Sequence, residues 1–188
     1  MKTLILNGSP RKNGDTAALI RILTANLKGD VRVIDACTAN VRPCRDCRRC
    51  RKEAGCAIHD GMRAVYEAIE DADNIVIASP IWFSELSGPL LSLASRLQTY
   101  FCARHFRHEE PIKKPKRGAV ILVGGGDGDP QKAFETASTL LKHMNTVDVF
   151  PAVISHNTET TPAGADPAAL SGLGVLAAFL NALADFEL

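Results

Sequence analysis

Lys2-Thr3-Leu4-Ile5-Leu6-Asn7-Gly8-Ser9-Pro10-Arg11-Lys12-Asn13-Gly14-Asp15-Thr16 is the stretch that decides the fold. Residues 2–6 are a short apolar run that stops at the turn-forming Asn-Gly-Ser-Pro, which reads as a buried strand delivered into a loop. Beyond it Ala17, Leu19, Ile20, Leu23 and Leu27 recur at near-helical spacing, and Asp15 or Thr16 is placed to cap that helix. Strand, loop and helix in this order open a wound α/β unit, and the alternation continues outward. Further strands are expected at 31–34, 74–78, 119–123 and 147–154. Helices are expected from about 60, over about 89–102, over 130–144 and over 167–184. The 74–78 run is apolar throughout, as a central parallel strand covered on both faces should be. Five strands alternating with five helices specify an α/β, doubly wound parallel sheet with right-handed crossovers. The expected strand order is 2-1-3-4-5, with a ligand above the carboxyl ends of the first and third strands.

The 188 residues suffice for one well-buried core, and no internal repeat or composition break divides them, so 1–188 is expected to be a single domain. At 46% hydrophobic and 23% charged residues, the composition is that of an ordinary soluble globular protein. A formal charge of +1 gives no reason to expect nucleic acid or an anionic membrane as partner. The apolar run at the start is too short for a signal peptide, and the longest apolar segment, 172–183, is interrupted by Gly174 and Asn181. A cytoplasmic location is therefore expected, where six cysteines stay mostly reduced and a close-spaced set reads as a metal or redox site.

The loop after the first strand is built for an anion. Gly8, Ser9 and Gly14 let the backbone curl, Ser9 and Thr16 add hydroxyls, Arg11 offers a forked cation, and a helix begins at its end. It is neither G-x-x-x-x-G-K-[ST] nor G-x-G-x-x-G, and one helix terminus suits a monophosphate better than a pyrophosphate. The competing reading is a polar turn that only caps its helix. After the third strand, Pro80, Ile81, Trp82 and Phe83 offer an apolar wall and the amides through Ser84 an edge for a planar ring; alternatively the aromatic pair caps the core. After the fourth strand, Gly124, Gly125, Gly126 and Gly128 let the backbone approach a flat ligand, or form a plain flexible turn.

Cys44-x2-Cys47-x2-Cys50-x5-Cys56 forms a cysteine-rich loop over 44–56. Four thiolates so spaced suit a [4Fe–4S] cluster, zinc is a second option, and thiols without metal a third. Arg42, Arg45, Arg48, Arg49, Arg51 and Lys52 crowd the same stretch and would offset thiolate charge, or simply be solvated. Cys37 and Cys102 fall outside the spacing and read as buried core cysteines. His59 beside Asp60 reads as a helix-capping pair. His105, His108 and the basic 113–117 run read as a solvated loop, with steering of an anionic nicotinamide or an acidic partner as the alternative.

Together N-G-S-P-R-K-x-G-D-T, S-P-I-W-F-x-x-x-S-G-P and G-G-G-D-G resemble the flavodoxin-like NAD(P)H-dependent FMN reductase family. The cysteine run followed by Ala57-Ile58-His59-Asp60-Gly61-Met62 resembles its iron–sulfur flavoprotein branch. The resemblance implies that Ser9, Arg11, Asn13, Gly14, Asp15 and Thr16 hold the FMN phosphate. It further implies that Pro80, Ile81, Trp82, Phe83 and Ser84 border the isoalloxazine with the glycine loop. Two departures stand out: Asp15 replaces the usual asparagine, and the lysine and aspartate of the following helix give way to Leu91 or Ser92 and to Ser95, while Arg96 remains. The implied activity passes electrons from NAD(P)H or a ferredoxin-like donor to a small acceptor such as a quinone or flavin, with a [4Fe–4S] cluster on Cys44, Cys47, Cys50 and Cys56 as an option. No side chain is assigned as catalytic acid, base or nucleophile. A homodimer or homotetramer is implied too, and the rival function is a non-enzymatic electron carrier or metal-binding redox sensor.

Overall fold

The computed structural model describes residues 1–182. Strand β1 (Lys2–Asn7) runs through the phosphate-loop candidate into α1 (Asp15–Asn26) and β2 (Asp30–Asp35). After the cysteine loop come α2 (Met62–Asp71), β3 (Asn74–Trp82), β4 (Glu85–Leu86), α3 (Gly88–Ala94) and α4 (Gln98–Cys102). The chain continues through β5 (Lys116–Val123), α5 (Gln131–His143), β6 (Thr146–Val149), β7 (Val153–Ser155) and α6 (Pro167–Asn181). Of the last expected helix, 183–184 lie outside the described residues. Among the described residues no helix is long and apolar enough to cross a membrane.

The path through the sheet is β2-β1-β3-β5-β6, parallel throughout, with β7 also pairing β5 and β4 folding back antiparallel on β3. The expected order holds by position, but the described residues form seven strands rather than five. One reason is Pro151: it has no N–H for a ladder. The expected 147–154 strand therefore splits into β6 and β7, which pair in turn with the start and end of β5. The other is the β3–β4 hairpin, whose tip residues Phe83 and Ser84 take left-handed φ values of 54° and 61°.

Alternate residues of the central strands feed two cores. Leu4, Leu6, Ile75, Ile77, Val120 and Leu122 pack with α2, α3 and α5, while Ile5, Val76, Ala78, Ala119 and Ile121 pack with α1 and α6. This two-residue period with both faces covered is what makes these strands apolar throughout.

The expected 89–102 helix is helical along its whole length but irregular. A 3-10 turn over Ser95–Leu97 joins α3 to α4, and a π turn over Ala103–Arg107 extends it to His108, whose φ is 53°. Ser95 Oγ donates to Ser92 O at 2.6 Å, a local bond of the kind that disturbs helical pairing. The start of the expected polar loop is thus helical.

The basic 113–117 run is a solvated loop only in part: Lys113 and Lys114 are exposed, whereas Lys116 and Arg117 enter β5. Lys114 pairs with Asp73 at 2.5 Å. Lys116 is fully buried, donating to Ala72 O at 2.7 Å and Glu70 O at 3.1 Å at the carboxyl end of α2. Burial pushes its pKa down to about 8. Because the folded state disfavours the charged amine, the penalty is complete below pH 8 and is relieved as pH rises toward the ordinary 10.5. Lys116→Met should lower stability by about 1–3 kcal/mol by orphaning two carbonyls. In chemical denaturation series, the wild type's lead over this variant should widen from pH 8 to 10.5; a lead that shrinks over that window would contradict the assignment.

Candidate functional site

The first and third loops are joined by buried hydroxyls. Parallel pairing sets Asn7 opposite Ala78, and Gly8 N donates to Ala78 O at 2.8 Å. Ser87 Oγ then donates to Gly8 O at 2.7 Å, while Ser87 N donates to Ser79 Oγ at 3.0 Å. A β-carbon on Gly8 would lie 2.6 Å from Ser87 Oγ, so the approach itself requires glycine. Asn7 fixes the turn by accepting from Ser9 N at 2.9 Å and donating to Asp35 at 2.5 Å.

Within the loop, Ser9 Oγ accepts from Arg11 N at 3.3 Å, and Gly14 N donates to Arg11 O at 3.3 Å. Ser9 and Thr16 are buried, whereas Arg11 and Asn13 are exposed above them. The helix cap is Gly14, with no side-chain acceptor on the first amides of α1, contrary to the expected Asp15 or Thr16 cap. Asp15 instead accepts from Ala163 N at 3.0 Å, committing its carboxylate to the 163–165 turn. An uncapped helix start beside small and hydroxyl residues is a ready anion cradle.

Trp82 is 43% exposed and Phe83 fully exposed, so this pair stands free on the hairpin tip instead of capping the core. Left-handed φ at Phe83 and Ser84 costs on the order of 1–3 kcal/mol each, strain that is common at ligand-binding turns. The glycine loop is held by the segment that follows β7. Thr158 N donates to Gly124 O and Asn157 N to Gly126 O, both at 3.1 Å, and His156 Nδ1 lies 3.3 Å from Gly126 O. Gly126 and Gly128 face open space.

Cys44, Cys47, Cys50 and Cys56 line a single pocket, all as free thiols. Buried Cys102 from α4 joins them there, which sequence reasoning missed: a lone cysteine on a helix carries no spacing signal. Burial and neighbouring Cys102 push the Cys50 thiol up to about 11. Cys37 is exposed, not buried as expected. Among the described residues no three His, Cys, Asp or Glu converge closely enough to hold a metal ion.

The loop is braced from below. Cys44 N donates to Ser95 Oγ at 2.8 Å, Arg107 donates to Cys50 O, and Arg51 stacks 4.6 Å over Phe106. Arg96, with a side chain 0% exposed, pairs with Asp60 at 2.8 Å and donates to Arg42 O and Ile58 O. Asp60 also accepts from Arg42 N and caps α2 through Met62 N, so the expected capping role is present with a buried ion pair added. Burial alone would raise the Asp60 pKa, but hydrogen bonds from Arg42, Arg96 and Met62 hold it below its usual value.

The model of the NADPH-dependent FMN reductase family matches residues 1–160. The chain belongs to that family. Its fold is flavodoxin-like, and it is an FMN-reductase-type oxidoreductase. An iron-sulfur flavoprotein of Methanocaldococcus jannaschii is 31% identical over 138 residues, 72% of this chain and 68% of the relative. An iron-sulfur flavoprotein of Archaeoglobus fulgidus is 24% identical over 156 residues, 81% of this chain and 68% of the relative. The NAD(P)H:quinone oxidoreductase of Methanothermobacter marburgensis superposes with a TM-score of 0.69 at 18% identity, covering 92% of each chain.

Within this family member the Asp60–Arg96 pair is the brace to break. Asp60→Asn strands a buried guanidinium and should cost about 3–5 kcal/mol. It should also make the cysteine loop more susceptible to limited proteolysis. A thermal melt and cleavage pattern unchanged from wild type would contradict the brace.

Proposed function

We propose that this chain is an FMN-dependent oxidoreductase passing electrons from NAD(P)H, or from a ferredoxin-like donor, to a small acceptor such as a quinone or flavin. The observation that carries the reading is the uncapped start of α1 beside Ser9 and Thr16, locked to the third loop through Ser87. These residues fit a phosphate monoester: amides, hydroxyls, a helix terminus and the Arg11 side chain converge on one turn. Ser9, Arg11, Asn13, Gly14 and Thr16 grip that phosphate, while Asp15, anchored on Ala163, orients the helix without opposing the anion. Pro80, Ile81, Trp82, Phe83 and Ser84 form one border of the ring site, and Gly124, Gly125, Gly126 and Gly128 the other. When bound, FMN supplies the redox chemistry, so the chain binds, orients and shields without a catalytic acid or base.

Cys44, Cys47, Cys50 and Cys56 are the residues that would hold a [4Fe–4S] cluster. The donor set suits it: four free thiols line one pocket among arginines, although the thiols must draw closer to ligate. Fully exposed Phe83 beside the ring border favours a homodimer or homotetramer in which a second copy covers this edge.

Titration with FMN, followed by NAD(P)H turnover with a quinone, tests the reading. Thr16→Val removes a buried hydroxyl without changing shape and should weaken FMN binding about 10-fold or more, as loss of a hydrogen bond to a charged group does. Wild-type protein that refuses FMN at micromolar concentration, or a Thr16→Val variant that binds it as tightly as wild type, would overturn the phosphate site. Anaerobic reconstitution should give about four iron and four sulfide per chain if the cysteines hold the cluster.

A further inference from the structure

Beneath the cysteine pocket lies a cation with donors in reserve. The Arg96 side chain is fully buried. Its Nη1 serves Arg42 O at 2.9 Å and Asp60 at 2.8 Å, and its Nη2 serves Ile58 O at 3.0 Å. Arg42 stands two residues before Cys44 and Ile58 two residues after Cys56, so one guanidinium clamps both ends of the cysteine loop. Of the two N–H groups left over, one on Nη2 and one on Nε, the Nε is buried with no hydrogen bond of ordinary geometry, and the Cys56 thiol lies within weak hydrogen-bonding reach of the guanidinium. Leaving such a donor unmade costs about 1–3 kcal/mol, and native structures seldom keep one without a use. Arg96 lines the same pocket as the four cysteines, and Cys56 is the thiol its charge acts on.

The acceptor at hand is the Cys56 sulfur in the same pocket, and a Cys56 thiolate would satisfy this donor better than the neutral thiol does. Four thiolates around a [4Fe–4S] core leave the assembly anionic, and the part of such an anion withdrawn from water is costly unless a buried cation faces it. Arg45, Arg48 and Arg51 also line the pocket, but they are exposed at its rim and their charge is screened. Arg96 is not.

We infer that Arg96 is a positioning residue for a thiolate-bound cluster: its Nη groups hold the loop closed around the cysteines, and its Nε–H is reserved for a ligating sulfur on the Cys56 side. The inference rests on the reading that Cys44, Cys47, Cys50 and Cys56 hold a cluster. It predicts that removing this cation makes reduction harder, because the reduced assembly carries the extra negative charge.

The test compares wild type, Arg96→Gln and Arg96→Lys, each reconstituted anaerobically with ferrous iron and sulfide. Bound iron, its loss to a chelator, the midpoint potential of the cluster and FMN stoichiometry are measured. Arg96→Gln should retain FMN, hold iron about 10–100-fold more weakly, as loss of groups that orient metal ligands does, and show a more negative potential. Arg96→Lys should keep a potential nearer wild type, because the charge survives, yet lose iron faster, because the fork that clamps both loop ends is gone. Arg96→Gln with normal FMN, iron retention and potential would overturn the inference. If Arg96→Gln fails to fold and binds no FMN, Arg96→Lys decides: iron retention equal to wild type overturns the clamp. Wild-type protein that takes up no iron would instead sink the cluster reading and this inference with it, a result distinct from well-loaded variants that behave as wild type.

Discussion

One buried hydroxyl governs the geometry of the loops proposed to hold FMN. Ser87 Oγ, 2.7 Å from Gly8 O, ties the turn after β1 to the start of α3, just beyond the point where β1 and β3 cease to pair. A net hydrogen bond of this kind contributes only about 1 kcal/mol, but its loss would leave a buried carbonyl unpaired. Gly8 is required because any side chain would collide with Ser87. The proposed anion cradle and ring border are thus set at a fixed separation, which would lower the ordering cost of binding.

The same short helical stretch serves both candidate sites. Ser87, at its start, holds the phosphate loop; Ser95 and Arg96, midway, hold the cysteine loop; Cys102, at its end, enters the cysteine pocket. Its irregular hydrogen bonding, with 3-10 and π turns in succession, fits a segment that spends its side chains on two loops. The charge around the cysteines divides in the same way. Exposed pairs such as Arg49 with Glu53 and Arg48 with Asp46 are worth little in water, whereas the buried Arg96–Asp60 pair is strongly coupled and leaves a costly orphan if split.

The fold was legible because its signals are local. Apolar runs in 2–6, 74–78 and 119–123 and helical spacing from Ala17 to Leu27 reappear as β1, β3, β5 and α1, and the loops between them fall at the expected edge. What sequence reading missed depends on contacts between distant residues. Asp15 looks like a cap until Ala163, 148 residues away, is seen to claim it. Cys102 looks like a core residue until α4 turns it toward Cys50. Lys116 looks solvated because nothing nearby in sequence announces the carbonyls of Glu70 and Ala72. Pro151, by contrast, did carry the signal that split the last strand; its missing N–H was there to be read.

Phosphorus NMR of the FMN-loaded protein addresses the central claim most directly, because it observes the anion in the cradle itself. A monoester held by α1, Ser9 and Thr16 should give a broadened resonance, displaced from free FMN and insensitive to pH near the second phosphate pKa of about 6. A narrow line that titrates as free FMN does would mean that the phosphate lies in water and that the account of this loop is wrong.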